Sequence, residues 1–185
     1  AEVNKLKCAR HIRIDKALLS IGTLGSGNHF IELDKSENKY YLIIHSGSRH
    51  LGVEVERYYH ELAHEKTKGS VPYEFAYLEG ELLEDYLHDM TIVQNFARIN
   101  RQAIADDIVK SLKFNVTDNF STIHNYIDTK HKILRKGAIS AMNGEKIIIP
   151  LNMRDGCILC RGKENADWNF SAPHGAGRAY NRADT

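Results

Sequence analysis

The stretch "HFIELDKSENKYYLIIHSGS", residues 29–48, holds two short runs rich in β-branched and aromatic residues, "HFIEL" (29–33) and "KYYLIIHSGS" (39–48). Runs of this kind, broken by Gly, Ser and Asn, read as strands. Each carries a histidine at an end, His29 and His45. "LGVEVERYYHELAHEK" (51–66) then reads as a helix, with Val53, Leu62 and Ala63 spaced for one face. A longer helical pattern runs from about Glu79 to Leu112 on Leu82, Leu83, Tyr86, Met90, Val93, Ala97, Ile104, Ile108 and Leu112, with a break expected near Asn95 or Asn100. Beyond it, "FSTIHNYI" (120–127), "KHKILRKGAIS" (130–140), "EKIIIPL" (145–151) and "CILCRG" (157–162) read as strands, with turns at Asn143-Gly144 and Asp155-Gly156. The expected class is α+β, with mixed or antiparallel sheet.

Composition bounds the function loosely. With 42% apolar and 26% charged residues in a 185-residue chain, a folded domain is expected rather than disorder. Against 24 acidic residues stand 25 basic ones, so any nucleic-acid contact rests on a local patch. The chain shows no apolar run long enough to span a membrane and no leader pattern, so a cytoplasmic protein without a membrane partner is expected. The absence of Met at Ala1 suggests a processed or excised piece. Three cysteines, Cys8, Cys157 and Cys160, are too few for a disulfide scaffold. The C-x-x-C pair has no second pair to complete a zinc site, and buried structural thiols are expected.

Ten histidines need sorting. His29, His45, His124 and His174 stand apart because each lies where an expected strand meets a small-residue turn, a junction at which distant side chains converge. "SAPHGAGRAYNR" (171–182) sets His174 before Gly175, Ala176 and Gly177 and follows them with Arg178 and Arg182. Small residues let main-chain N–H groups approach an anion and arginines grip phosphate. From the dodecamer alone two readings stand, a phosphate site containing a nucleophile or a Gly-rich turn with a surface histidine. "HELAH" (60–64) offers a rival: on a helix, His60 and His64 lie one turn apart to bind zinc, with Glu61 as base and Glu84 as a candidate third ligand. The bland reading of that segment is a solvated helix face.

The segments "GTLGSGNHFIEL", "IIHSGSRHLG", "NFARINRQ", "IHNY", "RKGA" and "SAPHGAGRAYNR" run in the order of the signature segments of the RtcB family of RNA-splicing ligases, which the chain resembles from about Gly22 to Arg182. "HELAH" belongs to no part of that pattern. The resemblance implies an RtcB-like catalytic core and an enzyme that joins RNA with a 3′-phosphate or 2′,3′-cyclic phosphate to RNA with a 5′-hydroxyl, using GTP and two manganese ions. It implies His174 as the guanylylated nucleophile and His29, His45 and His124 as manganese ligands. Asn28, Glu32, Asn125, Gly175, Ala176, Gly177 and Arg178 match nucleotide-contacting positions, and Arg49 and Arg182 match positions that hold RNA phosphates. The resemblance names no helper protein. The departures also matter: the family's upstream Asp-x-Gly-Cys-Gly-like metal segment and its downstream lysine lie outside these 185 residues, and "IPLNMRDG" differs from the usual Pro-Gly-Ser-Met-like form. The chain therefore reads as a single partial domain, expected not to ligate RNA by itself. Outside this family the open alternatives are a zinc peptidase and a non-catalytic RNA-binding remnant.

Overall fold

A computed structural model describes residues 2–68 and 70–177. The two histidine-ended runs form one antiparallel hairpin, β1 (Phe30–Ser36) and β2 (Lys39–His45), in unbroken register from Phe30 opposite His45 to Ser36 opposite Lys39. Its turn is two residues long, and Glu37 takes the left-handed backbone (φ 52°) that such turns favour. His29 and His45 thereby end up at the same, open end of the hairpin.

The single domain read from the sequence divides into two compact units, one ending at Val116 and one beginning at Thr117. In the first, short α1 (Ile14–Leu19) precedes the hairpin, and α2 (His50–Thr67) and α3 (Gly80–Leu112) follow it. The core joins Val3, Leu6, Cys8 and Ala17 of the N-terminal segment to Leu51, Val55 and Tyr59 of α2 and Phe96 of α3. The buried face of α2 is Leu51, Val55, Tyr59 and Ala63, a strict four-residue spacing; Val53 is half exposed, which corrects its expected place on that face. Helix α3 does not break at Asn95 or Asn100. Asn100 stays helical because its side chain bonds to distant loops instead of competing with its own backbone.

A buried carboxylate fastens the N-terminal segment to this core. Asp89 on α3, fully buried, accepts from the backbone N–H groups of Lys7 (2.8 Å) and Cys8 (3.0 Å) and from the Tyr59 hydroxyl (2.8 Å). Burial alone would raise its pKa, but these donors outweigh it and hold the carboxyl below its ordinary range. Burial beside Asp89 pushes the Cys8 thiol up to about 12, so Cys8 is an inert core residue.

The second unit is built from antiparallel pairs: β3 (Asn125–Asp128) with β4 (Ile133–Lys136), β5 (Ala138–Ser140) with β8 (Ser171–Pro173), and β6 (Lys146–Asn152) with β7 (Gly156–Arg161). All strand pairs among the described residues are antiparallel, within the expected α+β class. The run 130–140 is two strands, not one, because Gly137 between β4 and β5 adopts φ 65° and turns the chain. Only residues 125–128 of the run expected as a strand over 120–127 and just beyond it pair. Cys157 is half-buried and Cys160 exposed, so only Cys8 fits the expectation of buried thiols; among the described residues β6 and β7 form a sheet of two strands. Among the described residues no helix is long and apolar enough to cross a membrane.

Candidate active site

Two loops of the first unit, 22–29 before β1 and 46–49 after β2, are tied together by one side chain. Asn100, fully buried on α3, accepts from Gly22 N–H (2.8 Å) and places its amide nitrogen against Thr23 O (3.2 Å), Ser46 Oγ (3.1 Å) and Gly47 O (3.2 Å). Ser46 Oγ donates to Leu24 O (2.8 Å), and Arg101 donates to Ser46 O (3.1 Å). A buried donor or acceptor left unpaired costs about 1–3 kcal/mol. Asn100→Ala is therefore expected to lower stability by at least that amount, read as a lower urea midpoint, and to loosen both loops, read as faster hydrogen exchange at Gly22.

That framework places Arg49 and His29. Arg49, itself at a strained φ of 58°, donates to Thr23 Oγ1 (3.1 Å) and Leu24 O (2.9 Å) and reaches His29 Nδ1 (3.3 Å). Its guanidinium lies over Gly25 (φ 97°), where an added Cβ would fall 1.6 Å from Arg49 Nη1, so any side chain there would displace the guanidinium from its bonds. A guanidinium only donates, so Nδ1 of His29 accepts in this contact. Burial, together with the Arg49 charge, lowers the pKa of His29 and favours the neutral ring. The rings of His29 and His45 are 5.9 Å apart, and His45 stacks on Phe30, its cross-strand partner, at 5.3 Å. Asn28 is exposed in the loop ahead of β1. Glu32 lies on β1 two residues from Asp34, and burial together with that second carboxylate raises its pKa.

In the second unit, His124 and His174 stack face to face, 4.6 Å apart and 6° from parallel. His124 directly precedes β3 and His174 directly follows β8. His174 Nδ1 lies 2.6 Å from the carbonyl oxygen of Gly137. A carbonyl only accepts, so Nδ1 carries the proton and the lone pair of the neutral ring sits on Nε2. Asn125 Oδ1 accepts from Gly137 N–H (2.9 Å). Arg135, 1% exposed, braces the same corner: it donates to Asp128 (2.9 Å), the Tyr126 hydroxyl (3.0 Å) and Ser171 Oγ (2.9 Å), the last on the strand that delivers His174. In the turn after His174, the Ala176 N–H is donated to Pro150 O (3.0 Å), whereas those of Gly175 and Gly177 have no hydrogen-bond partner among the described residues. Arg178 and Arg182 lie outside the described residues.

The zinc reading of "HELAH" finds no support in this geometry. His60 Nε2 lies 2.8 Å from Tyr73 O and must donate to it, its Nδ1 faces Glu56, and its ring stacks on Tyr73 at 4.3 Å. Glu61 lines a different surface recess with His11, Arg13 and Tyr58. Among the described residues, His60, Glu61, His64 and Glu84 form no ligand cluster. The segment is a helix face with its histidines packed on a tyrosine.

The family model for the tRNA-splicing ligase RtcB matches residues 2–185. The chain belongs to the RtcB family. It is 35% identical to the RNA-splicing ligase RtcB of Escherichia coli, over 88% of this chain and 46% of that protein. It is 30% identical to the tRNA-splicing ligase RtcB of Nanoarchaeum equitans, over 88% and 45%, and 28% identical to that of Aeropyrum pernix, again over 88% and 45%. The chain thus spans about half the length of the curated relatives it matches. No solved structure matches it.

The RtcB signature segments coincide with the two histidine pairs and their supports. The sequence assigned no role to Asn100, Arg135 or Gly137, although "NFARINRQ" and "RKGA" carry all three. The available signal was chemical type in context: a buried-face Asn on a helix and an Arg-Lys-Gly run between strands are hard to explain by local propensity.

Proposed function

We propose that this chain is the central part of a GTP- and manganese-dependent RNA ligase that joins 3′-phosphate or 2′,3′-cyclic phosphate RNA ends to 5′-hydroxyl ends through a guanylylated His174. The observation that carries the reading is the His174 Nδ1 to Gly137 O bond, which leaves Nε2 as the nucleophile in a segment of RtcB type. His174 Nε2 attacks the α-phosphorus of GTP; the N–P bond forms, the bond to the bridging oxygen of the β-phosphate breaks, and pyrophosphate leaves. A neutral imidazole does this near pH 7, where a lysine would need a large pKa shift. A 2′,3′-cyclic phosphate end first takes up water, which breaks its P–O2′ bond and leaves a 3′-phosphate; the guanylyl group then passes from His174 to that phosphate, and the 5′-hydroxyl displaces GMP as the ends join.

The remaining roles follow the same reading. Gly175 and Gly177, whose main-chain N–H groups have no partner among the described residues, offer them to the nucleotide phosphates; Ala176, whose N–H is held by Pro150, contributes small size rather than a donor. Asn28, Glu32 and Asn125 lie near the histidines along the chain as nucleotide contacts, and Arg178 belongs with them. Arg49 and Arg182 serve RNA phosphates. His29, His45 and His124 would hold manganese, which when bound offsets phosphate charge and aligns the attacking and leaving oxygens. Neutral imidazole is the form that ligates, and the environment of His29 favours that form. Its single lone pair cannot serve Arg49 and a metal together, so with His29 holding a metal the Arg49 guanidinium would be free for phosphate. We place the enzyme in the cytoplasm, in keeping with the expectation from its sequence.

The test is end joining by the full-length protein. Labelled RNA with a 2′,3′-cyclic phosphate and a partner with a 5′-hydroxyl should be joined only when both GTP and manganese are present. Joining with ATP in place of GTP, or with no divalent metal, contradicts the reading.

A further inference from the structure

We propose that Gly137 is a positioning residue for His174: its carbonyl selects the imidazole tautomer and its lack of a side chain leaves room for the ring. The inference rests on the reading of His174 as the nucleophile, and it assigns a role to a glycine that touches no reacting atom. Gly137 is held at φ 65°, a backbone region that L side chains rarely adopt. Its carbonyl accepts from His174 Nδ1 (2.6 Å) and faces the backbone N–H of the same residue (3.4 Å). A Cβ at this position would lie 3.2 Å from Cε1 and 3.3 Å from Nδ1 of His174, tighter than ordinary contact. The ring has little freedom to give way, because it is stacked on His124 at 4.6 Å. The peptide that bears this carbonyl is fixed at its other end, where Ala138 N–H donates to His124 O (3.2 Å), and the Gly137 N–H on the preceding peptide is held by Asn125 Oδ1 (2.9 Å).

The chain of bonds therefore runs from Asn125 through the Gly137 backbone, across its Cα and on to the peptide that carries its carbonyl, to His174. Turning that peptide removes the acceptor facing Nδ1, and the proton is then free to reside on Nε2, the atom that must attack. A ring with its proton on Nε2 has no lone pair there and does not react. Misplacing a nucleophile by about 1 Å costs on the order of 10²-fold in rate.

Two readouts on the full-length protein test this. The first is the long-range ¹H–¹⁵N spectrum of histidine-labelled protein before metal is added, in which the His174 signals are assigned by their loss in His174→Ala. The second is the rate of covalent labelling by α-labelled GTP with manganese. Wild-type protein should show Nδ1–H with an unprotonated Nε2. Gly137→Ala should mix the tautomers and slow labelling by about 10²-fold at saturating GTP. Gly144→Ala serves as control, since it carries the same backbone strain (φ 77°) with nothing within 4 Å of an added Cβ, and it should leave both readouts at wild-type values. Asn125→Ala, which adds no bulk beside the ring, should also mix the tautomers, and Asn125→Asp, which keeps the acceptor, should restore the wild-type pattern. A wild-type tautomer pattern in both Gly137→Ala and Asn125→Ala overturns the proposal, as does an equal loss of labelling in Gly144→Ala. Wild-type protein that takes no label contradicts the nucleophile reading instead, while the tautomer comparison still decides the role of Gly137.

Discussion

His174→Ala is expected to lower covalent labelling by GTP at least about 10³-fold in the full-length protein, the scale on which removing a covalent nucleophile acts. The loss should be in the rate of labelling and not in folding, because the bonds of the half-buried His174 side chain that the structure shows are its contact with Gly137 and its stack on His124. The measurement is the initial rate of label incorporation at saturating GTP, with circular dichroism to show an unchanged fold. Residual labelling near the wild-type rate would place the nucleophile elsewhere.

Arg135→Met is expected to destabilise the second unit by about 3–5 kcal/mol, the cost of removing one partner of a buried ion pair and leaving the other uncompensated. Arg135 joins β3, β4 and β8 through Asp128, Tyr126 and Ser171, in a unit whose buried apolar cluster among the described residues is Ile139, Ala141 and Ile147. Hydrogen exchange at the β3, β4 and β8 amides reads the loss locally. Pairing the change with Asp128→Asn should recover part of it, since the uncompensated carboxylate then disappears; no recovery would mean that the bonds to Tyr126 and Ser171 matter more than the ion pair. The pH dependence has a definite sign. Burial raises the Asp128 pKa, but the hydrogen bonds from Arg135 and His131 more than offset this and hold it well below the ordinary aspartate value. The ionised form is therefore favoured by folding: its contribution is complete above that ordinary value and is lost as the pH falls from there toward the lower folded pKa. Arg135→Met should flatten that acid limb of the stability curve.

The hairpin at 29–48 was legible because β-branched and aromatic runs flanking a short polar turn leave few alternatives, and its register alone brings His29 and His45 to one end. The helices were legible from periodicity, but their buried faces were not. Val53 fits the apolar pattern yet faces solvent, while Asp89 and Asn100 look polar yet are fully buried. Periodicity counts apolar residues and cannot register a polar side chain that folding satisfies with four separate partners. Asn100 was read as a helix breaker for the same reason: its local preference favours turns, and only the distant carbonyls of Thr23 and Gly47 overturn it. The break at Gly137 was hidden inside a stretch that reads as one strand, because a positive φ in a glycine leaves no mark on hydropathy. The candidate histidines were legible from their strand-end positions and from the RtcB-type segments around them. Their tautomers were not, since these depend on which carbonyl or guanidinium faces each ring.

The most direct test is to map the site of nucleotide attachment in the full-length protein after incubation with GTP and manganese. Quenching in alkali preserves a phosphoramidate, and peptide mass spectrometry then locates the modification. A guanylyl group on the peptide carrying His174, lost on brief acid treatment, is the result expected. An acid-stable adduct, or one on a lysine, a serine or any other histidine, would contradict His174 as the nucleophile.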